Sequence, residues 1–193
     1  MRVESLVEKA RKLKEKGMST EEIADELNVS VDTAIWLLTR ATEVPPSDIY
    51  IELRNITNPS RLRLIAAALA DMVREKVDDS IDVVVGIATS GIPLATMVAE
   101  ELGTDFAIYY PRKFKISEGK MIGIFSENFA KVAGKKCVIV DDVVSTGRTI
   151  KEAAENIEAA EGKVICAAVI ADKRGSDEIN SVQVYSLLKV LRI

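Results

Sequence analysis

The stretch CVIVDDVVSTGRT, residues 137–149, decides the fold class of this chain. Residues 137–140 are apolar and the last three are β-branched, as in a strand buried on both faces, and two aspartates, Asp141 and Asp142, follow directly. A short polar turn then leads into a helical pattern. A buried strand that passes through a turn into a helix is typical of a parallel βαβ unit. We therefore expect a parallel sheet around this strand.

The rest of the chain after residue 45 repeats this alternation of apolar runs and helical patterns. It predicts an α/β fold, with a mainly parallel sheet covered by helices on both faces. The predicted strands cover residues 81–85, 106–109, 137–140, 164–171 and 182–187, and the predicted helices cover residues 61–76, 94–102 and 149–161.

Composition narrows the class of protein further. The chain has 193 residues, 48% of them hydrophobic, which is enough for one α/β domain and a small module. It contains no histidine, which excludes serine-protease triads, zincins and histidine-relay enzymes, and its two cysteines lie in apolar runs without a CxxC pair. The net charge of −4 gives no overall attraction to nucleic acid or lipid. Without a membrane span or a signal peptide pattern, we expect a cytoplasmic protein with no membrane contact.

Two prolines, Pro45 and Pro46, separate this region from a helical N-terminal part, which predicts domains at residues 1–44 and 45–193. Three helices are expected before the prolines, at residues 5–16, 21–27 and 31–40. The second begins with a capping box, and the third follows a tight turn. The predicted buried side chains of the third helix are Ala34, Ile35 and Leu38.

The second and third helices with their tight turn resemble a helix-turn-helix, which predicts binding to promoter DNA. Residues 1–44 have a net charge of −2, and only the first helix is basic, so phosphate contacts would come mainly from that helix. A three-helix cap used for dimerisation is the alternative interpretation. The predicted DNA contacts are Ser30, Val31, Asp32, Thr33, Trp36 and Arg40.

The polar turn after Asp142 has the chemistry of a phosphate cradle. A glycine, Gly147, lets the backbone approach an anion, and the following helix adds its N-terminal amides. Beside a phosphate, Asp141 and Asp142 would hold ribose hydroxyls or the water shell of Mg²⁺. The residues therefore predict a sugar phosphate ligand. The hydroxyl and guanidinium donors of the turn are Ser145, Thr146, Arg148 and Thr149.

This stretch resembles the binding signature for 5-phosphoribosyl 1-pyrophosphate (PRPP) of the type I phosphoribosyltransferases, at every position from 137 to 149. A second stretch, VVGIATSGIPLA at residues 84–95, resembles the pyrophosphate loop of that family. The resemblance implies a type I phosphoribosyltransferase fold that binds PRPP with Mg²⁺. The additional ligand contacts that it implies are Thr89, Ser90, Gly91 and Arg112.

Residues 47–54 and the YPRK segment at 110–113 resemble the orotate branch of that family. In that branch a catalytic loop with the pattern RKxxKxHG supplies cations and a histidine to the leaving pyrophosphate. Here residues 112–119 are RKFKISEG, so that Ile116 stands at the position of the second lysine and Glu118 at that of the histidine. A carboxylate there would oppose the negative charge that develops in the reaction. Lys113 and Lys115 remain as candidate catalytic cations.

A helix-turn-helix before such a domain resembles the archaeal orotate phosphoribosyltransferase-like transcriptional regulators. The resemblance implies a homodimeric, DNA-binding regulator of sugar catabolism genes, with PRPP or a related sugar phosphate or nucleotide as its ligand and little or no transferase activity. An active orotate or purine phosphoribosyltransferase is the alternative. A third hypothesis is an enzyme whose N-terminal module binds something other than DNA.

Overall fold

A computed structural model describes residues 3–114, 116–117, 120–121 and 123–191 of the chain. The chain divides into two compact units, Met1–Asn55 and Ile56–Ile193. Within the described ranges, no helix combines the length and the apolar character that a bilayer crossing requires.

The first unit contains three helices: α1 at Val3–Glu15, α2 at Thr20–Leu27 and α3 at Val31–Thr39. The predicted capping box is present at the start of α2, because Ser19 and Glu22 exchange hydrogen bonds. Asn28 ends α2 in the left-handed conformation, and the Ser30 hydroxyl accepts a hydrogen bond from the Thr33 amide at the start of α3. Local capping therefore accounts for the tight turn between α2 and α3.

The core of the first unit corrects one prediction about α3. Ile35 is not buried; its side chain is 45% exposed, whereas Leu37 is buried. Ala34 and Leu37 are three residues apart and share the buried face, while Ile35 is rotated about 100° from Ala34. The buried apolar side chains of this unit are Val7, Ala10, Met18, Ile23, Ala24, Leu27, Val29, Ala34, Trp36 and Leu37.

The segment after Pro46 is hydrogen-bonded to the helices of the first unit. The Asp48 carboxylate accepts a hydrogen bond from the Ser30 amide at 2.6 Å, so that residue 48 closes onto the turn before α3. The indole nitrogen of Trp36 likewise donates to the Thr42 carbonyl at 2.9 Å. The first unit thus continues to Asn55, past the boundary predicted between residues 44 and 45.

The second unit is built on a mixed seven-stranded sheet of order β5-β2-β1-β6-β7-β9-β8. The five inner strands are parallel, as predicted, and β5 and β8 add short antiparallel edges. A separate two-stranded sheet pairs β3 with β4. The strands are β1 Val83–Ile87, β2 Asp105–Tyr110, β3 Ile116–Ser117, β4 Lys120–Met121, β5 Ile124–Phe125, β6 Lys136–Val144, β7 Lys163–Asp172, β8 Glu178–Ile179 and β9 Val182–Lys189.

Three helices flank this sheet, namely α4 at Pro59–Lys76, α5 at Gly91–Leu102 and α6 at Arg148–Ala159. Their buried faces, and the uninterrupted burial of β1, account for the predicted α/β layering. A short 3-10 helix, Arg112–Phe114, follows β2. The mainly parallel sheet with its flanking helices confirms the predicted α/β fold class.

Strand β6 extends beyond its neighbour β1 at the carboxyl edge of the sheet. Its pairing with β1 ends at Val140, opposite Gly86. On its other side β6 stays paired with β7 as far as Val144, which lies opposite Asp172. Asp141 and Asp142 therefore lie in the part of β6 that β1 no longer covers.

Candidate functional site

Asp141 and Asp142 lie side by side at the carboxyl edge of the sheet, the usual ligand edge of open α/β folds. Asp141 is buried, and its carboxylate accepts a hydrogen bond from the Asp142 amide at 2.9 Å. The Asp142 carboxylate accepts one from the Val143 amide at 2.7 Å. Burial raises the pKa of Asp141 well above its usual value, and the neighbouring Asp142 raises it further. Burial raises the pKa of Asp142 as well.

The loop after β1 contacts this carboxylate pair. The Ser90 hydroxyl interacts with the Asp142 carboxyl and opposes the rise of its pKa. A Cβ on Gly91 would lie 2.8 Å from the Val140 carbonyl oxygen and 3.0 Å from an Asp141 carboxylate oxygen. Only glycine allows such a close approach. The loop that contains Ser90 and Gly91, with Thr89 exposed beside them, is therefore packed against the two aspartates.

The polar turn after β6 has the predicted form. Gly147 adopts φ +83° and precedes the first residue of α6, Arg148. A Cβ on Gly147 would lie 2.8 Å from Ile179, so both the backbone conformation and the available space require glycine. The Arg148 amide donates to the Thr146 hydroxyl at 3.2 Å, and Ser145 and Thr149 are half-buried on either side. The structure thus brings the whole predicted turn to the same edge as the aspartates.

The basic segment after β2 reaches the same edge, because β2 is parallel to β1. The charge of Lys113 acts on the Asp141 carboxyl and opposes the rise of its pKa. Arg112 is bound to α6 instead: its amide donates to the Glu152 carboxylate at 2.8 Å, and its Nε lies 3.4 Å from the same group. The second candidate cation, Lys115, and the divergent Glu118 lie outside the described residues.

Glu152 also accepts a hydrogen bond from the buried Tyr109 hydroxyl at 2.7 Å. Burial raises the pKa of Tyr109 above its ordinary value, and the bond to Glu152 raises it further. A Cβ on Gly123 would overlap the Tyr109 hydroxyl, so the chain passes close to this pair again at residue 123. We call the four residues Tyr109, Arg112, Gly123 and Glu152 the Glu152 cluster.

Removing the hydroxyl with Tyr109→Phe is expected to lower the free energy of unfolding by about 1–3 kcal/mol at pH 7, because a hydrogen bond to a charged group is lost. The folded-state pKa of Tyr109 is raised, so its hydroxyl stabilises the fold fully below about pH 10, the unfolded value. The difference between wild type and variant should then shrink by about 1.4 kcal/mol per pH unit above that value. Urea unfolding between pH 8 and 11 measures it, and a constant difference would contradict the assignment.

A second ion pair lies beside the turn of residues 145–149, at the end of β7. The fully buried Asp172 carboxylate accepts from Arg174 Nε at 3.0 Å and from Nη2 at 2.8 Å. Arg174 Nη1 donates to the Glu178 carbonyl at 3.0 Å. The same arginine lies 3.5 Å from the Cβ position of Gly147. This pair therefore packs behind the turn and supports it.

Sequence reasoning missed the partners that hold the site in place. Glu152 and Tyr109 are 43 residues apart, and no local pattern relates them. The Asp172–Arg174 pair had a local signal, since the two residues are close in sequence at a strand end, but its burial is a tertiary property. The carboxyl edge of the sheet therefore combines paired carboxylates, hydroxyl donors, two helix N-termini and a cation. This set of groups suits a polyhydroxylated anion.

The predicted DNA contacts on α3 are only partly on the surface of the first unit. Thr33 and Trp36 are buried, which corrects their assignment as base contacts. Trp36 packs in the core, and the Arg40 guanidinium stacks over its ring at 4.1 Å. The exposed residues of α3 and its C-cap are Asp32, Ile35, Thr39 and Arg40, whereas Ser30 and Val31 are half-buried.

Comparisons with known proteins agree with this architecture. The family model described as "Phosphoribosyl transferase domain" matches residues 52–191. The transcriptional regulator GfcR of Archaeoglobus fulgidus is 66% identical over 193 residues, 100% of this chain and 99% of that protein. The GfcR of Methanocella arvoryzae is 47% identical over 203 aligned residues, 99% of this chain and 98% of that protein.

Among solved structures, the orotate phosphoribosyltransferase of Mycobacterium tuberculosis H37Rv in complex with PRPP is similar with a TM-score of 0.56. It is 22% identical, and the match covers 73% of this chain and 81% of that one. At this identity the similarity concerns the fold alone. The chain belongs to the phosphoribosyl transferase domain family, in the group that includes the GfcR transcriptional regulators.

Proposed function

We propose that the chain is a DNA-binding transcriptional regulator whose second unit senses PRPP or a closely related sugar phosphate. The observation behind the proposal is the cradle at the carboxyl edge, where the Ser90–Gly91 loop lies against the Asp141–Asp142 pair and the Gly147 turn follows the same strand. The relatives of highest identity described above are named transcriptional regulators, which supports the regulatory part. Genes of sugar catabolism are the proposed targets, on the family resemblance.

The residues at this edge fit PRPP with Mg²⁺. The glycines at 91 and 147 leave space where a Cβ would collide with backbone or side chain, so backbone amides can approach an anion. The turn of residues 145–149 would hold the 5-phosphate, and Thr89, Ser90 and Gly91 the pyrophosphate, with Arg112 and Lys113 as cations. Asp141 and Asp142 would hold ribose hydroxyls or the water shell of Mg²⁺, and the metal would neutralise the pyrophosphate charge.

The proposal assigns the chain no strong transferase activity. Transfer of ribose 5-phosphate to a base builds negative charge on the departing pyrophosphate, which a general acid and cations stabilise. The chain has no histidine, and its sequence places Ile116 and Glu118 where the orotate branch has a lysine and a histidine. A ligand site with intact binding residues and an altered loop suits a sensor.

In the first unit, α3 is the proposed recognition helix. Its exposed Asp32, Ile35, Thr39 and Arg40 replace the buried Thr33 and Trp36 as candidate base contacts. Apolar side chains such as that of Ile35 suit thymine methyl groups, and arginine suits guanine. A homodimer would present two such helices to a palindromic operator.

Ligand-dependent DNA binding tests this function. Fluorescence anisotropy with duplexes selected from a random library, with and without PRPP and Mg²⁺, should show specific binding whose affinity the ligand changes at least five-fold, a typical coupling. By linkage, the operator must change the PRPP affinity by the same factor. DNA binding that PRPP leaves unchanged would contradict the sensor, and absence of specific binding would contradict the regulator.

An active phosphoribosyltransferase is the second candidate function. The proximity of the Lys113 charge to Asp141 favours it, because a cation already lies beside the carboxylates that would hold the ribose. Assays with PRPP, Mg²⁺ and orotate, adenine, guanine or hypoxanthine distinguish this function by the release of pyrophosphate. Turnover with any of these bases would establish it.

A further inference from the structure

The Glu152 cluster connects two segments of the proposed ligand site. One is the basic segment with Arg112 and Lys113, and the other is the N-terminus of α6, which supplies amide donors. Glu152 lies on α6, the helix that begins at Gly147, and its carboxylate is 17% exposed. It accepts hydrogen bonds from the Arg112 amide and the Tyr109 hydroxyl. The N-terminal amides of α6 thus face the loop of residues 145–149. Little more than one helical turn later, the same helix presents the Glu152 carboxylate to the segment after β2.

These contacts determine how the basic segment leaves the sheet. The bond from the Arg112 amide fixes the backbone that leads into Lys113. The contact of Nε with Glu152 engages one edge of the Arg112 guanidinium, while the side chain stays 57% exposed. Glu152 also neutralises one positive charge locally, so it orients the cations without adding uncompensated negative charge at an anion site.

We propose that Glu152 is a positioning residue of the ligand site, which acts through Arg112 and Lys113 to set these cations toward the pyrophosphate of PRPP. This inference rests on the proposed ligand. The Glu152 carboxylate accepts hydrogen bonds from Tyr109 and Arg112, and its main-chain carbonyl accepts one from Asn156, so Glu152 would act on the ligand through Arg112 and the adjacent Lys113. Its effect on binding must therefore vanish when the two cations are absent.

A double-mutant cycle measures this dependence. PRPP with Mg²⁺ is titrated calorimetrically into the wild type, Glu152→Ala, Arg112→Ala/Lys113→Ala and the triple variant. We expect Glu152→Ala to weaken binding roughly ten-fold in the wild-type background and less than about two-fold in the background without the cations. Both hydrogen bonds end on the same Glu152 oxygen, so the single amide oxygen of Glu152→Gln can accept them without the charge, and this variant should weaken binding only about three-fold.

Glu155→Gln is the matched control, because Glu155 lies on the same helix in an exposed ion pair with Lys151. It should leave PRPP affinity unchanged. Equal weakening by Glu152→Ala in both backgrounds, or no weakening in either, overturns the positioning role. If Glu152→Ala does not fold, the same cycle is measured with Glu152→Gln. The positioning role then requires a three-fold loss of PRPP affinity that occurs only when Arg112 and Lys113 are present.

Inorganic pyrophosphate provides a parallel probe of the cations alone. If the wild type binds pyrophosphate but not PRPP, the proposed ligand is wrong while the positioning role is still decided by the same cycle. If it binds neither, both the ligand and the positioning role are overturned.

Discussion

Replacing Asp141 by asparagine is expected to stabilise the ligand-free protein and to abolish its affinity for PRPP with Mg²⁺. Asparagine keeps an oxygen for the Asp142 amide, which the aspartate accepts at 2.9 Å, but has no charge to bury beside Asp142. The gain should be about 1–2 kcal/mol, a typical cost of a charged group in a poorly solvated site. It corresponds to a rise of roughly 2–4 °C in Tm per kcal/mol for a chain of this size.

The pH dependence identifies the cause of that gain. Burial raises the pKa of Asp141 in the folded state, so its carboxyl destabilises the fold progressively as the pH rises above about 4, the ordinary aspartate value. The advantage of Asp141→Asn should therefore be close to zero near pH 4 and grow as the pH rises from there to 8. Urea unfolding from pH 4 to 8 measures this, with the exposed Asp71→Asn as control.

The effect on ligand binding has the opposite sign. PRPP with Mg²⁺ should raise the Tm of the wild type by mass action and leave that of Asp141→Asn unchanged, because the variant lacks a carboxylate for the ribose hydroxyls or the hydrated metal. The two proteins would then change their order of stability as ligand is added. A variant that is less stable than the wild type without ligand, or equally stabilised by ligand, would contradict the proposed role of Asp141.

The second large effect concerns DNA. Lys9 and Lys12 on α1 and Lys16 directly after it are exposed and lie three and four residues apart, so they form one stripe. Their joint replacement by glutamine is expected to weaken DNA binding about 100-fold at 0.15 M salt and to reduce the slope of log K against log salt by roughly 2–3, because three phosphate contacts are lost. Sequence preference should persist, since phosphate contacts are independent of sequence.

Anisotropy titrations at several salt concentrations measure this slope. The matched control replaces three exposed lysines of the second unit by glutamine, which changes the net charge by the same amount. These lysines are Lys131, Lys135 and Lys151. If both triple variants weaken binding equally, the effect is one of net charge, and α1 has no specific role at the DNA backbone. An unchanged slope in the α1 variant would exclude contacts from these three lysines.

The parts of the molecule that could be predicted from the sequence are those in which local chemistry decides the structure. The β6–turn–α6 stretch is one, because a buried strand, a glycine with positive φ and a helix start follow each other within residues 136–159. The turn between α2 and α3 is another, since Ser19, Asn28 and Ser30 form their caps with near neighbours.

The features that could not be predicted from the sequence depend on contacts between distant residues, or on which face a short helix buries. Strands β5 and β8 have two residues each, too few for a periodic pattern. The face that α3 buries follows from its packing against α1 and α2, so Ile35 was placed wrongly in the core, and Trp36, one of the predicted DNA contacts, is buried. The contacts of Glu152 depend on where β2 ends beside α6, a consequence of sheet order.

The central claim is that the cradle binds its ligand without transferring it. Calorimetric titration of PRPP with Mg²⁺ into the wild type, followed by addition of orotate to the same sample, tests that claim most directly. We expect saturable binding at about one ligand per chain, with no binding to an Asp142→Asn variant and no consumption of orotate. Formation of orotidine 5′-monophosphate with release of pyrophosphate, or absence of PRPP binding, would contradict it.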